Sequence, residues 1–158
     1  MDVDGVLTRG AIILGAGGIE LKAFNTLDGM AVAMAHQAGL KVAIITARIS
    51  EAVMTRASEL GIKDLFQGSM DKMEAYEVLL NRYELTDEQV AYVGDDLGDL
   101  PLMNRAGLKV AVANACGELK ALADYVTLSS GGEGAVREVV ELVLGWKERK
   151  ETPSIGKD

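Results

Sequence analysis

Three uninterrupted apolar runs, rich in β-branched residues, constrain the fold of this chain more than any other feature. The runs are LKVAIIT at 40–46, VAYVG at 90–94 and LKVAVAN at 108–114. A strand that is apolar on both faces is typical of a parallel sheet covered by helices. The stretches between the runs carry apolar residues at helical spacing. We therefore predict an α/β fold built on a doubly wound parallel sheet.

Start and stop signals delimit the helices between these strands. Gly39 and Gly61 are placed as the glycines that follow a helix end, and Ser50 is placed as an N-cap. Thr86 to Gln89 fits a capping box but allows only a single turn, because a predicted strand follows at once. The predicted helices cover 28–39, 50–61, 71–85, 117–125 and 134–149.

One segment interrupts the alternation of strands and helices. GAIILGAGGIELKAFN, at 10–25, has two short β-like runs around a glycine-rich centre, which predicts a tight hairpin. We expect one domain at 1–150, with the hairpin inserted at about 9–26 and a flexible tail at 151–158. The outer edge of such a hairpin is a natural place for another subunit to pair.

Composition excludes several classes of partner. The net charge of −8 and the pI of about 4.7 disfavour nucleic acid and anionic membranes, although local cations can still hold a small phosphate ligand. Cys116 is the only cysteine, so no intramolecular disulfide or cysteine metal cluster can form. The acidic N-terminus does not resemble a secretion signal, and no apolar run has the length of a membrane span. We expect a cytoplasmic protein.

Chemically suggestive residues follow four strand ends or their loops: a first strand that ends at DVDG, the run at 40–46, a short run near Phe66 and the run at 90–94. They are the carboxylates of DVDG, Thr46, Lys72 and the carboxylates of GDDLGD. Ligands of open α/β sheets bind at the carboxyl ends of the strands, where these groups would converge. Clustered carboxylates need a cation, and oxygen ligands suit Mg²⁺. A carboxylate beside Mg²⁺ and a lysine can act as a nucleophile. Alone, DVDG is also typical of a turn and GDDLGD of a solvated or calcium-binding loop; their joint order favours catalysis.

At these residues the sequence resembles the haloacid dehalogenase superfamily of phosphotransferases, through DVDGVLT, IITAR, Lys72 and GDDLGD. It resembles one family more closely, the 3-deoxy-D-manno-octulosonate 8-phosphate phosphatases, through ELKAFNTLDG, QGSMDKMEAYE, GDDLGDLPLM and GGEGAVREV. The resemblance implies a Mg²⁺-dependent phosphatase of lipopolysaccharide biosynthesis. It would hydrolyse a small phosphorylated sugar acid through an aspartyl-phosphate intermediate. It also implies a hairpin in place of a cap domain, and a homotetramer.

The resemblance assigns catalytic roles to Asp2, Asp4, Thr46 and Lys72. Asp2 would be the nucleophile. Asp4 would protonate the leaving oxygen and later accept a proton from water. Thr46 would donate to a phosphoryl oxygen, and Lys72 would neutralise charge on the phosphoryl group.

The resemblance also assigns metal and substrate ligands. The metal site would consist of Asp2, the main-chain carbonyl of Asp4, Asp95 and Asp99. Asp99 would hold either a metal-bound water or Lys72. Besides Lys72, the substrate site would contain Asn25, Thr26, Leu27, Asp28, Gly29, Arg48 and Arg56. A guanidinium fork suits the carboxylate of a sugar acid.

Two alternatives to this function stay open at the level of sequence. One is a phosphatase for a nine-carbon keto-deoxy sugar acid 9-phosphate, and the other is a non-catalytic assembly or regulatory module. The family also carries a longer first strand ahead of the catalytic pair. We expect the corresponding sheet position to be only partly filled by this chain, with neighbouring backbone groups left unpaired.

Overall fold

In a computed structural model, residues 1–151 are described. Six α-helices lie in this part of the chain: α1 (Thr26–Gln37), α2 (Glu51–Glu59), α3 (Lys72–Tyr83), α4 (Leu100–Arg105), α5 (Gly117–Leu122) and α6 (Ala135–Glu151). The strands are β1 (Ile13–Leu14), β2 (Glu20–Leu21), β3 (Ala43–Ile45), β4 (Asp64–Phe66), β5 (Ala91–Gly94), β6 (Leu108–Ala111) and β7 (Tyr125–Val126). The predicted tail at 151–158 lies outside the described residues, apart from Glu151. Within 1–151, no helix combines the length and apolar character that crossing a bilayer requires.

The parallel strands form two groups that are joined through the first residues of the chain. β3 pairs with β4, and β5, β6 and β7 pair in that order. Met1 lies between the groups: its amino group donates to Ala43 O at 3.0 Å, and its carbonyl accepts from Ile45 N at 3.0 Å. On the other side, Asp2 N donates to Val93 O at 3.1 Å. The strand order is therefore β4, β3, Met1–Asp2, β5, β6, β7.

The predicted doubly wound α/β fold is confirmed. All three apolar runs contain strands. The core consists of fully buried side chains from the strands, from the helices that cover them and from the turn after Asp2, among them Val3, Val6, Val32, Ile44, Ile45, Tyr92, Leu102, Met103, Val110 and Leu119. Helix α1 packs against α6, and α4 packs against both α3 and α5. The predicted glycines Gly39 and Gly61 follow helix ends with φ of 78° and 68°.

Two short elements differ from the sequence prediction. The helix predicted over 117–125 ends at Leu122, because Ala123 has an extended backbone and the chain continues into β7. The six-residue helix α4, with a proline in its first turn, was not predicted. Elements of this length carry too few residues for a periodic pattern to define them.

A cavity of about 390 Å³ lies next to the bridging segment, Met1–Asp2, between the amino-terminal parts of β3 and β5. It is lined mainly by apolar side chains of both strands, α3 and α6. The catalytic candidates lie at the opposite, carboxyl-terminal ends of the strands.

The predicted hairpin is present as the antiparallel pair β1–β2, with Ile13 opposite Leu21. Gly17 and Gly18 turn the chain with φ of 73° and 80°, a conformation that side chains with a Cβ rarely adopt. The hairpin exposes between 44% and 68% of each of its large apolar residues, Ile12, Ile13, Leu14, Ile19 and Leu21. A contiguous exposed apolar patch of this kind is typical of an interface.

Candidate active site

Two carboxylates from different strand positions meet at the centre of the sheet. Asp2 ends the bridging segment, and Asp95 follows β5. The chain then turns sharply, because the amide groups of Val6, Leu7 and Thr8 all donate to Val3 O. Gly5 within this turn has a φ of 96°, and a Cβ there would lie 1.9 Å from Asp95 Oδ2. A glycine is therefore required for the turn to pack against Asp95.

Lys72 and Asp99 complete this cluster from two further elements. Lys72 is the first residue of α3, and its ammonium lies 2.7 Å from Asp99 Oδ1 and 3.0 Å from Asp2 Oδ1. Asp99 Oδ1 also accepts from the Tyr92 hydroxyl at 2.6 Å. Its Oδ2 accepts from the backbone amide of Asp95 at 3.0 Å. The contacts of Asp99 are thus with protein donors, and this residue orients Lys72 towards Asp2.

The cluster strongly perturbs the ionisation of its members. Burial, followed by the charges of Asp2, Asp99 and Asp96, raises the pKa of Asp95 to about 7. Burial also raises the pKa of Asp2, although Lys72 opposes this effect. For Lys72, burial lowers the pKa but Asp2 and Asp99 outweigh it, so the net shift is upward. Burial and, after it, repulsion among the carboxylates therefore oppose their ionisation more than one lysine compensates.

The donor set fits a hard divalent cation. Carboxylate oxygens of Asp2, Asp95 and Asp99 lie within 4.8 Å of one another. Asp2 Oδ1 and Asp95 Oδ1 are buried and have no hydrogen-bond partner among residues 1–151. The contact of Asp2 Oδ1 with Lys72 is an ion pair without hydrogen-bond geometry. Unpartnered buried carboxylate oxygens are costly unless a cation binds them. Asp2 and Asp95 are thus the residues best suited to bind Mg²⁺ directly.

Asp4 lies in a second group of charges beside the first. Lys22, directly after β2, approaches Asp4 Oδ1 at 2.5 Å and Glu20 Oε1 at 3.4 Å. Arg48 lies 3.6 Å from Asp4 Oδ2 and donates to Glu20 at 2.8 Å. The four side chains form a closed ring of alternating charge. Arg48 and Asp4, both predicted site residues, are therefore brought together by the hairpin.

Thr46 follows β3, and its side chain is buried. Its amide donates to Phe66 O at 2.9 Å, and its carbonyl accepts from Ser69 N at 3.0 Å. These bonds fix Thr46 at the carboxyl end of the strand, the edge of the sheet that also bears Asp2 and Asp95.

In the segment Asn25 to Gly29, two polar side chains are occupied by helix capping. Asn25 Oδ1 accepts from Leu27 N at 2.8 Å and caps α1. Asp28 is buried and accepts from Arg137 N at 2.9 Å, in the first turn of α6. Burial raises the pKa of Asp28, against the effect of these backbone donors. Thr26 and Leu27 are exposed.

Arg56 stays apart from the two charge groups. Its guanidinium lies over the Phe24 ring, 5.8 Å from the centroid, and pairs with Glu59 at 3.2 Å. A Cβ on Gly29 would lie 2.4 Å from Arg56 Nη2, so the glycine makes room for this side chain. Among residues 1–151, none of the contacts of Arg56 is with a catalytic candidate.

Sequence reasoning missed three residues that shape the site. Tyr92 was assigned only to a strand, and Lys22 only to the hairpin. Asn114 donates to Gly5 O at 3.4 Å and accepts from Gly131 N at 2.7 Å, which joins the catalytic turn to the loop before α6. A Cβ on Gly131 would lie 1.7 Å from Gly5 O, so this approach is close. These roles depend on contacts between distant segments, and of the three residues only Lys22 lies within a family-like string, ELKAFNTLDG.

Comparisons with known proteins agree with this geometry. Residues 41–139 match the family model of haloacid dehalogenase-like hydrolases. The 3-deoxy-D-manno-octulosonate 8-phosphate phosphatase of Escherichia coli strain K12 is 50% identical over 144 residues, which cover 91% of this chain and 77% of the relative.

Solved structures of relatives superpose closely on this fold. The 3-deoxy-D-manno-octulosonate 8-phosphate phosphatase of Yersinia pestis has a TM-score of 0.92 at 48% identity, with 95% of this chain and 81% of that chain covered. The corresponding phosphatase of Moraxella catarrhalis, in complex with a magnesium ion, a phosphate ion and KDO, has a TM-score of 0.89 at 45% identity, with 92% and 83% covered.

The fold, the strand-end carboxylates and the lysine therefore define a haloacid dehalogenase-like hydrolase acting on phosphate monoesters. Within that class, the chain belongs to the family of 3-deoxy-D-manno-octulosonate 8-phosphate phosphatases.

Proposed function

We propose that this chain is a Mg²⁺-dependent phosphatase that hydrolyses 3-deoxy-D-manno-octulosonate 8-phosphate through an aspartyl-phosphate on Asp2. The observation that carries the proposal is the pair Asp2 and Asp95: an Oδ1 atom of each is buried without a hydrogen-bond partner among the described residues, and Asp2 Oδ1 lies 3.0 Å from the Lys72 ammonium. The substrate follows from the names of the E. coli and Y. pestis relatives and from the KDO in the M. catarrhalis complex.

The reaction needs two displacements at phosphorus. In the first, an oxygen of Asp2 attacks phosphorus, and the bond to the sugar oxygen breaks while Asp4 supplies that oxygen with a proton. In the second, Asp4 takes a proton from a water molecule as the water attacks the aspartyl-phosphate, which releases phosphate and regenerates Asp2.

Charge stabilisation is divided among the residues around the phosphoryl group. Lys72, held by Asp99 at 2.7 Å, neutralises negative charge on the phosphoryl oxygens, and the Thr46 hydroxyl donates to one of them. Asp2, the carbonyl of Asp4 and Asp95 would hold Mg²⁺. When bound, the ion supplies positive charge that allows phosphate to approach these carboxylates.

The sugar acid lies beside the hairpin in this proposal. Arg48 offers a guanidinium fork for the substrate carboxylate, and its present partner Glu20 must then give way. Segment 25–29 would line the site through its backbone and its exposed residues, because Asn25 and Asp28 cap helices. Arg56, on α2, would also belong to the substrate site.

We further propose that residues 1–150 act as one catalytic unit and assemble as a homotetramer through the exposed apolar hairpin. Sedimentation at micromolar concentration tests this assembly, and a monomer would contradict it.

Phosphate release from a panel of sugar phosphates, with and without Mg²⁺, tests the proposed function. The panel includes the eight-carbon and nine-carbon keto-deoxy sugar acid phosphates. We expect preferred hydrolysis of the former, strictly dependent on Mg²⁺. Asp2→Asn should form no phosphoenzyme, whereas Asp4→Asn should still form it from an aryl ester whose leaving group needs no proton. Metal-independent release, or a phosphoenzyme in Asp2→Asn, would refute the mechanism.

A further inference from the structure

Lys22 is a buried lysine that the reaction described above does not use. Its side chain is 1% exposed, although the hairpin to which it belongs is largely exposed. An ammonium buried to this degree is stable only when opposite charges compensate its lost hydration. Asp4 at 2.5 Å and Glu20 at 3.4 Å provide that compensation.

The two oxygens of Asp4 have different surroundings. Oδ1 faces Lys22 Nζ and lies 3.5 Å from the Thr8 hydroxyl. Oδ2 is buried and accepts no hydrogen bond from the residues that the structure describes; it is opposed only by the ion pair with Arg48 Nε at 3.6 Å. Lys22 therefore fixes one oxygen of the carboxylate, while the other is held only by the longer contact with Arg48.

We propose that Lys22 is a positioning residue for Asp4: it holds Oδ1 so that Oδ2 faces the leaving oxygen and exchanges the proton. This inference rests on the proposed function, because it requires Asp4 to act as the acid and base. Glu20 pairs with Lys22 from the same hairpin and holds the ammonium in place. The hairpin then orders the acid–base group of its own chain, in addition to presenting an apolar surface.

The choice of leaving group separates this role from a structural one. We compare Lys22→Met, which keeps the chain length without the charge, with the wild-type protein on two esters. The sugar-acid phosphate has an alkyl leaving group that needs a proton, whereas p-nitrophenyl phosphate does not. We expect kcat for the sugar-acid ester to fall about 100-fold with little change in KM, and kcat for the aryl ester to change about threefold or less. Lys63→Met, at an exposed position before β4, is the matched control.

Two further variants keep the test decisive if Lys22→Met does not fold. Lys22→Gln retains a hydrogen-bond donor without charge and should show the same selective loss, and Lys22→Arg should recover most of the rate. In an Asp4→Asn background, Lys22→Met should cause no additional loss, because the two residues act as one unit. Thermal unfolding and Mg²⁺ titration establish that each variant is folded.

The outcomes distinguish this inference from the proposed function. An equal loss on both esters, a change in KM alone, or a full additional loss in the Asp4→Asn background would show that Lys22 supports folding or substrate binding instead. A wild-type protein that releases phosphate from neither ester would overturn the proposed function and the role of Lys22 together.

Discussion

Replacing Asp95 with asparagine should stabilise the metal-free protein while it weakens magnesium binding. The pKa of Asp95 rises from 3.8 to about 7 on folding, first through burial and then through Asp2 and Asp99. The folded state therefore binds more protons than the unfolded state between these pH values. Stability falls as pH rises through this window, and the full penalty applies above it. Asparagine carries no charge, so the variant escapes this penalty.

The size of the effect follows from the shift. A change from 3.8 to about 7 corresponds to a penalty on the order of 4 kcal/mol, at about 1.4 kcal/mol per pH unit. In the presence of a metal chelator, Asp95→Asn and the wild-type protein should have similar stability near pH 3.8. The difference between their free energies of unfolding should grow with pH and reach about 4 kcal/mol above pH 7.

Urea denaturation across this pH range, in chelator and in millimolar MgCl₂, measures both parts of the prediction. Magnesium should stabilise the wild-type protein, by about 2.7 kcal/mol at a concentration of 100 times Kd, and should stabilise Asp95→Asn much less. Calorimetry should show weaker Mg²⁺ binding by the variant, and turnover should nearly disappear. Asp96→Asn is the control, because this neighbouring side chain is exposed and an asparagine can keep its cap on Leu97 N.

Parallel stability curves for the two proteins in chelator would refute the electrostatic reasoning. Unchanged Mg²⁺ affinity in Asp95→Asn would refute the assignment of this residue as a ligand.

Three further substitutions probe other parts of the molecule. Tyr92→Phe removes the hydroxyl that donates to Asp99, and should cost about 1–2 kcal/mol in urea denaturation and lower kcat more than KM changes. Gly5→Ala places a Cβ 1.9 Å from Asp95 Oδ2 at a φ of 96°, and should abolish turnover and weaken Mg²⁺ binding in calorimetry. Leu14→Asp on the hairpin, 68% exposed in the single chain, should leave thermal stability of the monomer almost unchanged and reduce the assembled mass in sedimentation.

The sheet and the central carboxylates were accessible from the sequence for one physical reason. A strand buried on both faces must be apolar throughout, so β3, β5 and β6 are visible as continuous runs. Polar residues that follow such runs necessarily gather at one edge of a parallel sheet. Asp95 follows the run at 90–94 and could therefore be placed at this edge before any coordinates were available, whereas the placement of Asp2 rested on the DVDG string.

The parts that could not be predicted depend on pairings between distant segments. Lys22 contacts Asp4 across 18 positions, and this contact depends on how the hairpin folds back over the catalytic turn. Asp28 had the appearance of a substrate ligand, yet its carboxylate caps a helix 109 positions later in the chain. The β7 strand is two residues long and carries no pattern that could distinguish it from a helix end.

The bridging position of Met1 and Asp2 determines when activity can appear as the chain folds. The contact between Met1 and Ala43 closes a loop of 42 residues, and the contact between Asp2 and Val93 closes one about twice as long, so both are late, high-contact-order events. We expect the β3–β4 pair and the β5–β6–β7 group to form before them, because those pairings join segments closer in sequence. The nucleophile reaches Lys72 and Asp95 only when both halves have docked on the bridging segment. We therefore expect a partly folded chain of this architecture to be inactive. Recovery of turnover after refolding should then report the last step of sheet assembly rather than the formation of helices.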